Sequence, residues 1–167
     1  MIGGVAPYVI STAVLPETAL LGHVITNGLT MGASGYGNGY YEMFAKQKQQ
    51  GVSDEEADAI AMQNAKFEFA KETAIGASLP FMGSAGSKLF LAPAEKSAMK
   101  QFLATQGVII PTFTAGKLAS NVYQKYGLGE KDVNLGDGLA ETAENGLILG
   151  AMMEFAHKAP PKLKELY

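Results

Sequence analysis

Four glycines recur near the start of the chain at spacings of four, three and four residues, at Gly28, Gly32, Gly35 and Gly39. On an α-helix this spacing places all four on one stripe, which we call the glycine seam. Each glycine costs a helix roughly 1 kcal/mol relative to alanine, so the seam costs about 4 kcal/mol. Close packing of another helix backbone against the seam is the expected compensation. The alternative is a loop over 35–39 that breaks the helix.

The segment that carries the glycine seam is apolar and almost uncharged. Residues 1–41 contain one acidic residue and no lysine. No basic region precedes the apolar run, Pro16 interrupts it, and no stretch of about 20 apolar residues follows, so neither a signal peptide nor a membrane span is expected. Segment 1–50 is apolar and glycine-rich, and we predict that it contains one long helix. This helix runs from about residue 16 to 48 and ends before Gly51. Such a helix is expected to be buried or to self-associate.

A capping box marks the start of the second helix. Ser53 precedes Glu56 by three residues, so the serine hydroxyl can cap the helix while the glutamate reaches back to the serine backbone. Alanines and aromatic residues then recur at helical spacing, which predicts a capped amphipathic helix over 53–79. Four charged residues on this helix are expected to form ion pairs on a solvated face: Lys66, Glu68, Lys71 and Glu72.

The remainder of the chain also has helical periodicity. We predict a Gly/Ser-rich connector over 80–87 and two to three further helices within 93–158, with the chain kinked or stiffened at Pro111 because proline removes a helical hydrogen bond. Residues 160–167 are expected to form a charged tail. No segment alternates with period two, so no β domain is expected. The predicted fold class is all-α, with a helix hairpin, and the chain is one helical domain or a fragment of a larger helical protein.

The residues that usually carry chemistry are scarce. The 167 residues include no cysteine, no arginine and two histidines, and the formal charge is −3, so specific nucleic-acid recognition is not expected. Residues 132–138 resemble a calcium loop, but glycine and aspartate stand in the wrong order for an EF-hand, and a turn in which Asp137 caps the last helix is the better interpretation. We therefore assign no catalytic, cofactor-binding or metal-binding residue, and we expect that the protein is not an enzyme.

Aromatic residues cluster at the end of the first helix. Tyr36 and Tyr40 are one turn apart, and Tyr41 and Phe44 follow. Tyrosine is enriched in protein interfaces, so this cluster is a candidate assembly surface together with the glycine seam. The alternative is an edge of the core from which the hydroxyl groups reach water.

Residues 32–72 resemble a known helix-hairpin motif. Small residues lead into the tripeptide 40–42, Tyr-Tyr-Glu, and a polar stretch is followed by the capped segment 51–57 and an alanine-rich helix that carries Glu68 and Glu72. This pattern is similar to a motif of the very large internal virion proteins of tailed bacteriophages, the tape-measure, ejection and cargo-type proteins. The resemblance covers about a quarter of the chain and implies a protein packaged inside the particle and released with the DNA.

Three functions remain open at this point. The first is a non-enzymatic structural protein in the interior of a phage virion, or otherwise in the cytoplasm, that associates with itself or with other virion proteins and contacts membranes transiently. The second is a membrane-active protein of the pore-forming or bacteriocin type, for which 15–31 and 146–155 are the candidate apolar helices. The third is an enzyme with a carboxylate-only site. Helix packing, as expected for the glycine seam, favours the first.

Overall fold

The computed structural model describes residues 20–91 and 97–158, and it describes side chains there except at 83–90, 98 and 153–158. Four helices form this part of the chain: α1 Leu20–Gln49, α2 Asp54–Phe90, α3 Ala98–Val122 and α4 Leu139–Lys158. A π-helical turn, Tyr123–Gly127, extends α3. The described residues contain no strand. The predicted all-α fold with a helix hairpin is therefore confirmed.

Helix α1 runs without interruption through the glycine seam, so the alternative of a loop over 35–39 is wrong. Lys46 and Lys48 lie in its last turn, where positive charge favours the helix dipole. The helix ends at Gln49, and Gly51 then takes a φ of 80°, which is the left-handed conformation typical of glycine after a helix. The predicted start near Pro16 lies outside the described residues.

Helix α2 is longer than predicted, and the expected connector over 80–87 is wrong. The helix continues past 79 to Phe90 with Pro80 in its interior. Proline lacks the N–H that would bond the carbonyl of Gly76, which costs about 3 kcal/mol. Leu79 and Met82 on either side of Pro80 are almost fully buried. Burial of side chains of this size offsets the cost, because each contributes about 1.5–3 kcal/mol.

Pro111, where the sequence predicted a kink or a stiffening, lies within one continuous helix. Ile109, close to the proline, has no exposed surface. Beyond Val122 the helix widens into the π-helical turn, where the amide of Leu128 donates to the carbonyl of Tyr123 over 3.0 Å. Helices α3 and α4 are thus the two helices of this part of the chain, within the predicted two to three.

Helix α4 begins at Leu139, after an irregular segment. Asp137 does not cap the helix in the predicted way, because its carboxylate accepts a hydrogen bond from the amide of Asn134 and closes the preceding turn. The carbonyl of Gly138 accepts from the amide of Thr142 instead. The predicted tail over 160–167 lies outside the described residues.

The helices pack chiefly on their neighbours in sequence, α1 on α2, α2 on α3 and α3 on α4. One cluster of buried apolar side chains draws on all four helices and forms the core: Met31, Ile75, Leu79, Met82, Ile109 and Leu149. Only Met31 comes from α1, although α1 is 30 residues long. Helix α1 is therefore held to the other helices mainly through α2.

Candidate assembly surface

The glycine seam of α1 faces α2 of the same chain. A Cβ atom added to Gly28 would lie 3.2 Å from the carbonyl oxygen of Thr73, and one added to Gly35 would lie 3.0 Å from that of Glu68. Gly76 of α2 lies even closer to α1, since a Cβ atom added to it would lie 2.5 Å from the backbone oxygen of Asn27. The two backbones are thus in contact, and the partner of the seam is intramolecular.

The two other glycines of the seam make the same kind of contact. A Cβ on Gly32 would lie 3.1 Å from the carbonyl oxygen of Phe69 and would clash with the hydroxyl of Thr73. The carbonyl of Gly39 accepts a 2.9 Å hydrogen bond from Nδ2 of the buried Asn64. Because α2 fills the whole seam, these glycines cannot also contact another molecule while the hairpin is closed.

Three of the four charged residues predicted to form a solvated face on α2 are largely buried, and only Lys66 is exposed. Lys71 Nζ lies 2.5 Å from Glu68 Oε2 and 3.0 Å from Glu72 Oε1, and all three side chains are largely buried. The same ammonium donates to Ser120 Oγ of α3 over 2.8 Å. Because Gly35 has no side chain, α1 approaches closely enough to cover both glutamates. The ion pairs therefore lie inside the α1–α2–α3 junction.

The surroundings of Lys71 act on its pKa in two directions. Burial lowers the pKa, whereas the negative charges of Glu72 and Glu68 and their hydrogen bonds raise it, and the net result is a pKa above 10.5. The ammonium form is thus favoured by folding. This cluster therefore stabilises the junction of the three helices.

A second polar contact joins the far end of α1 to the segment after the π-helical turn. Glu130 is 7% exposed, and its carboxylate accepts from Gln47 Nε2 over 2.5 Å and pairs with Lys46 over 2.6 Å. Both of its oxygens are therefore occupied, which buried carboxylates require. The contact fixes the end of α1 to the segment between α3 and α4.

Two buried polar side chains at the hairpin interface have no partner. Asn27 is 1% exposed, and neither its Oδ1 nor its Nδ2 forms a hydrogen bond. The hydroxyl of Thr73, on the facing side of α2, is also unpaired. A buried polar group without a partner costs about 1–3 kcal/mol, so the interface that holds α1 is weaker than its close packing alone indicates.

The predicted aromatic cluster divides between the hairpin and the surface. Tyr40 donates a hydrogen bond to Asp58 Oδ1 of α2 and stacks on Phe44 at 5.9 Å between ring centroids. The hydrogen bond to that carboxylate raises the pKa of Tyr40 above 10.0. Tyr36 and Tyr41 are exposed. Tyr40 therefore belongs to the hairpin, and its two neighbours remain accessible.

The predicted capping box lies at the start of α2. Ser53 Oγ accepts a 3.3 Å hydrogen bond from the amide of Glu56, and the serine carbonyl accepts from the amide of Ala57. The side chain of Glu56 is exposed. Asp54 pairs with Lys48 over 2.6 Å and joins the start of α2 to the end of α1. These contacts position the hairpin turn and contribute no site for a ligand.

The N-terminal part of α1 carries exposed aliphatic side chains. Leu21, Ile25 and Leu29 follow one another at successive turns and are 71%, 52% and 54% exposed. No leucine, isoleucine or valine of α1 is buried, whereas its buried positions hold glycine, methionine, asparagine and glutamine. Leu21 and Ile25 precede Gly28 at spacings of four and three, so they continue the line of the glycine seam toward the start of α1. An ordinary amphipathic helix would bury such residues. We call these three exposed residues the α1 stripe.

The α1 stripe was not predicted from the sequence, although one signal was available. Leu21 and Ile25 extend the spacing of the glycine seam with large aliphatic side chains, which cannot be approached as closely as glycine. The stretch from Leu20 to Tyr41 also carries no charged residue. Together these features indicate an apolar surface, and among the described residues it is exposed.

Comparisons with other proteins give no further guide. No protein-family model, no curated protein and no solved structure matches the chain. Within 20–91 and 97–158, no three histidine or acidic side chains are grouped closely enough to hold a metal ion. Among the helices of the same described ranges, none combines the length and the hydrophobicity that crossing a bilayer requires.

Proposed function

We propose that this chain is a non-enzymatic assembly protein that associates with further copies of itself, and with other proteins of the same particle, through the α1 stripe. The observation that carries the proposal is the exposure of Leu21, Ile25 and Leu29 at successive turns of α1, whose contact with α2 is made by glycines. Contiguous apolar surface of this kind typically marks an interaction site.

The free energy gained by burying the α1 stripe determines how strongly copies of the chain can associate. Complete burial of a leucine or isoleucine contributes about 1.5–3 kcal/mol, so covering the exposed fractions of the three side chains contributes about 3–5 kcal/mol. Association itself costs about 4–15 kcal/mol of lost freedom. Contacts through the stripe are therefore weak singly and become effective where copies are concentrated or linked.

The interior of a tailed-phage virion provides such a setting, and we propose that the chain is an ejected or cargo component there. The resemblance over 32–72 supports this proposal. Those residues lie on the facing parts of α1 and α2 and form the hairpin that the resemblance implies. Low charge and a hairpin closed by glycines also suit dense packing of many copies.

The test replaces Leu21, Ile25 and Leu29 by lysine. All three side chains are exposed, so the variant is expected to retain its helix content by circular dichroism. Light scattering is expected to give a mass above 17.6 kDa for the original chain and 17.6 kDa for the variant. A matched control adds three lysines at exposed polar positions, Asn38, Gln49 and Gln63, and should assemble like the original chain.

The same experiment separates the proposal from membrane activity. An uncharged helix face with exposed leucines could also lie on a lipid surface. Zwitterionic and anionic vesicles filled with a fluorescent dye are therefore added to the chain at the concentrations used for light scattering. The assembly proposal predicts an increased mass without vesicles and no dye release. Dye release by a chain that is monomeric without lipid contradicts the proposal and supports a pore-forming function.

A further inference from the structure

Helix α1 is attached to the rest of the chain chiefly through one neighbour. Among the described helices, only α2 makes extensive contact with it. Beyond α2, the packing of Met31 in the core and the pairing of Lys46 and Gln47 with Glu130 complete its contacts. One short turn over 50–53 connects it to α2. Exchange of such an element between identical chains is a low-cost route to association.

Opening the α1–α2 contact exposes few large apolar side chains. Of the seven buried residues of α1, three are glycines and two are polar, and only Met31 and Met43 have apolar side chains. Asn27 gains hydrogen bonds with water on opening, because both polar atoms of its buried side chain are unpaired in the closed hairpin. The unpaired hydroxyl of Thr73 gains one in the same way. The free energy needed to open the hairpin is therefore low for two helices in contact over this length.

The turn between α1 and α2 can act as the hinge of an exchange. The amides of residues 50–52 donate only to carbonyls in the last turn of α1. The ion pair of Lys48 with Asp54 across the turn lies at the surface, where such pairs contribute little to stability. Four extended residues span about 13 Å, which exceeds the distance of about 8–10 Å between the axes of packed helices. When the turn extends, α1 can therefore leave its own α2 without unfolding either helix.

We propose that copies of this chain exchange α1, so that the glycine seam of one copy packs against α2 of a second copy. The closed hairpin itself specifies this partner, because each of its contacts can form again between two copies. Among these contacts are the packing of Gly28 on Thr73 and the hydrogen bond from Asn64 to the carbonyl of Gly39. Reciprocal exchange gives a dimer. Exchange with two different neighbours extends the assembly beyond a dimer, and the α1 stripe stays exposed in both forms.

Cysteine substitutions on both sides of the hairpin test the exchange in the full chain, which has no cysteine of its own. A Cβ atom added to Gly28 would lie 3.4 Å from the Cβ atom of Ala77, close to the separation of about 3.5–4.5 Å in a disulfide. Oxidation of the double variant Gly28→Cys/Ala77→Cys in dilute solution is therefore expected to link the two positions within one chain. If this link does not form, the α1–α2 contact on which the exchange depends is refuted.

Exchange is detected by dividing the two cysteines between two chains. Gly28→Cys and Ala77→Cys, one of them with a terminal tag, are mixed as reduced proteins at high concentration, incubated and oxidised, and the mixed dimer is quantified by electrophoresis. The matched control mixes Gly28→Cys with Gln63→Cys. Gln63 is exposed, and it lies 14 residues before Ala77, which is about 21 Å along α2, so this mixture reports random collision.

The mixture of Gly28→Cys with Ala77→Cys is expected to give at least tenfold more mixed dimer than the control. The yield should also rise with the time of incubation before oxidation, because the hairpin must open before α1 is exchanged. A yield no greater than that of the control overturns the exchange. Circular dichroism of each variant checks that its helix content equals that of the original chain.

The exchange and the proposed function of the α1 stripe are tested separately. Contacts through the stripe form at once, whereas exchange requires incubation, so the freshly prepared lysine variant still has a mass of 17.6 kDa. The double variant, oxidised within one chain, cannot exchange α1, yet its mass should rise with concentration through the stripe. Absence of the mixed dimer while this locked chain assembles overturns the exchange alone. A locked chain that stays at 17.6 kDa while the mixed dimer forms overturns assembly through the stripe alone.

Discussion

Replacing Gly76 by alanine tests the close approach of α1 and α2 from the side of α2. The added Cβ would lie 2.5 Å from the carbonyl oxygen and 2.9 Å from the carbonyl carbon of Asn27, and both are backbone atoms that move only if α1 moves. Overpacking of this kind costs about 1–3 kcal/mol or slightly more. Alanine favours the helix by about 1 kcal/mol over glycine. The free energy of unfolding is therefore expected to fall by up to about 2 kcal/mol.

Gly37 is the matched control for Gly76→Ala. It lies inside α1, and a Cβ added to it meets no atom within 4 Å. Gly37→Ala should therefore raise the free energy of unfolding by about 1 kcal/mol, since only the helix propensity changes. Urea titration followed by circular dichroism measures both variants. If the two substitutions stabilise the chain equally, the two backbones are not in contact at Gly76 and the account of the hairpin is refuted.

Three further substitutions test the unusual features of the interior. Asn27→Leu removes two unpaired polar atoms and is expected to raise the free energy of unfolding by about 1 kcal/mol in urea titration, whereas a decrease would show that the amide has a partner. Pro80→Ala restores a helical hydrogen bond and should stabilise the chain by about 2 kcal/mol, a gain that heat denaturation would register as a higher midpoint. The pKa of Lys71 is raised by folding, so its ammonium contributes stability that is present below pH 10.5 and lost as pH rises through the folded-state pKa. In urea titrations between pH 9 and 12, the free energy of unfolding should therefore fall more steeply for the original chain than for Lys71→Met. Equal slopes would contradict the ion-pair cluster.

The hairpin was predictable because its two determinants are local in sequence. The glycine seam specifies one side of α1 by spacing alone, and Ser53 specifies where α2 begins. The partner of the seam was harder to predict, because the spacing indicates that a helix approaches without indicating which one. Gly76, which completes the contact from α2, is followed by Gly83 and Gly86 at spacings of seven and three, but those two glycines were assigned to the connector over 80–87.

The wrong connector over 80–87 has a physical cause. Proline disfavours a helix interior by its local chemistry, and a prediction from one sequence weighs that chemistry without the burial of Leu79 and Met82 nearby. The segment that begins at Pro80 was therefore assigned to a connector, although tertiary packing offsets the cost of the proline.

The location of Lys71 shows a second limit of sequence analysis. Charged residues three and four positions apart are usually solvated, and Glu68, Lys71 and Glu72 have that spacing. They are covered here because the helix facing them has glycine at Gly35 and Gly39, and because Ser120 of α3 supplies a further acceptor. That juxtaposition arises only from the packing of three helices.

We propose that other copies of the chain bind to the α1 stripe. The most direct measurement is the mass of the purified full chain by light scattering over a hundredfold range of concentration. We expect the mass to rise above 17.6 kDa as concentration increases, because the α1 stripe contacts further copies weakly and reversibly. A mass of 17.6 kDa at every concentration would contradict it.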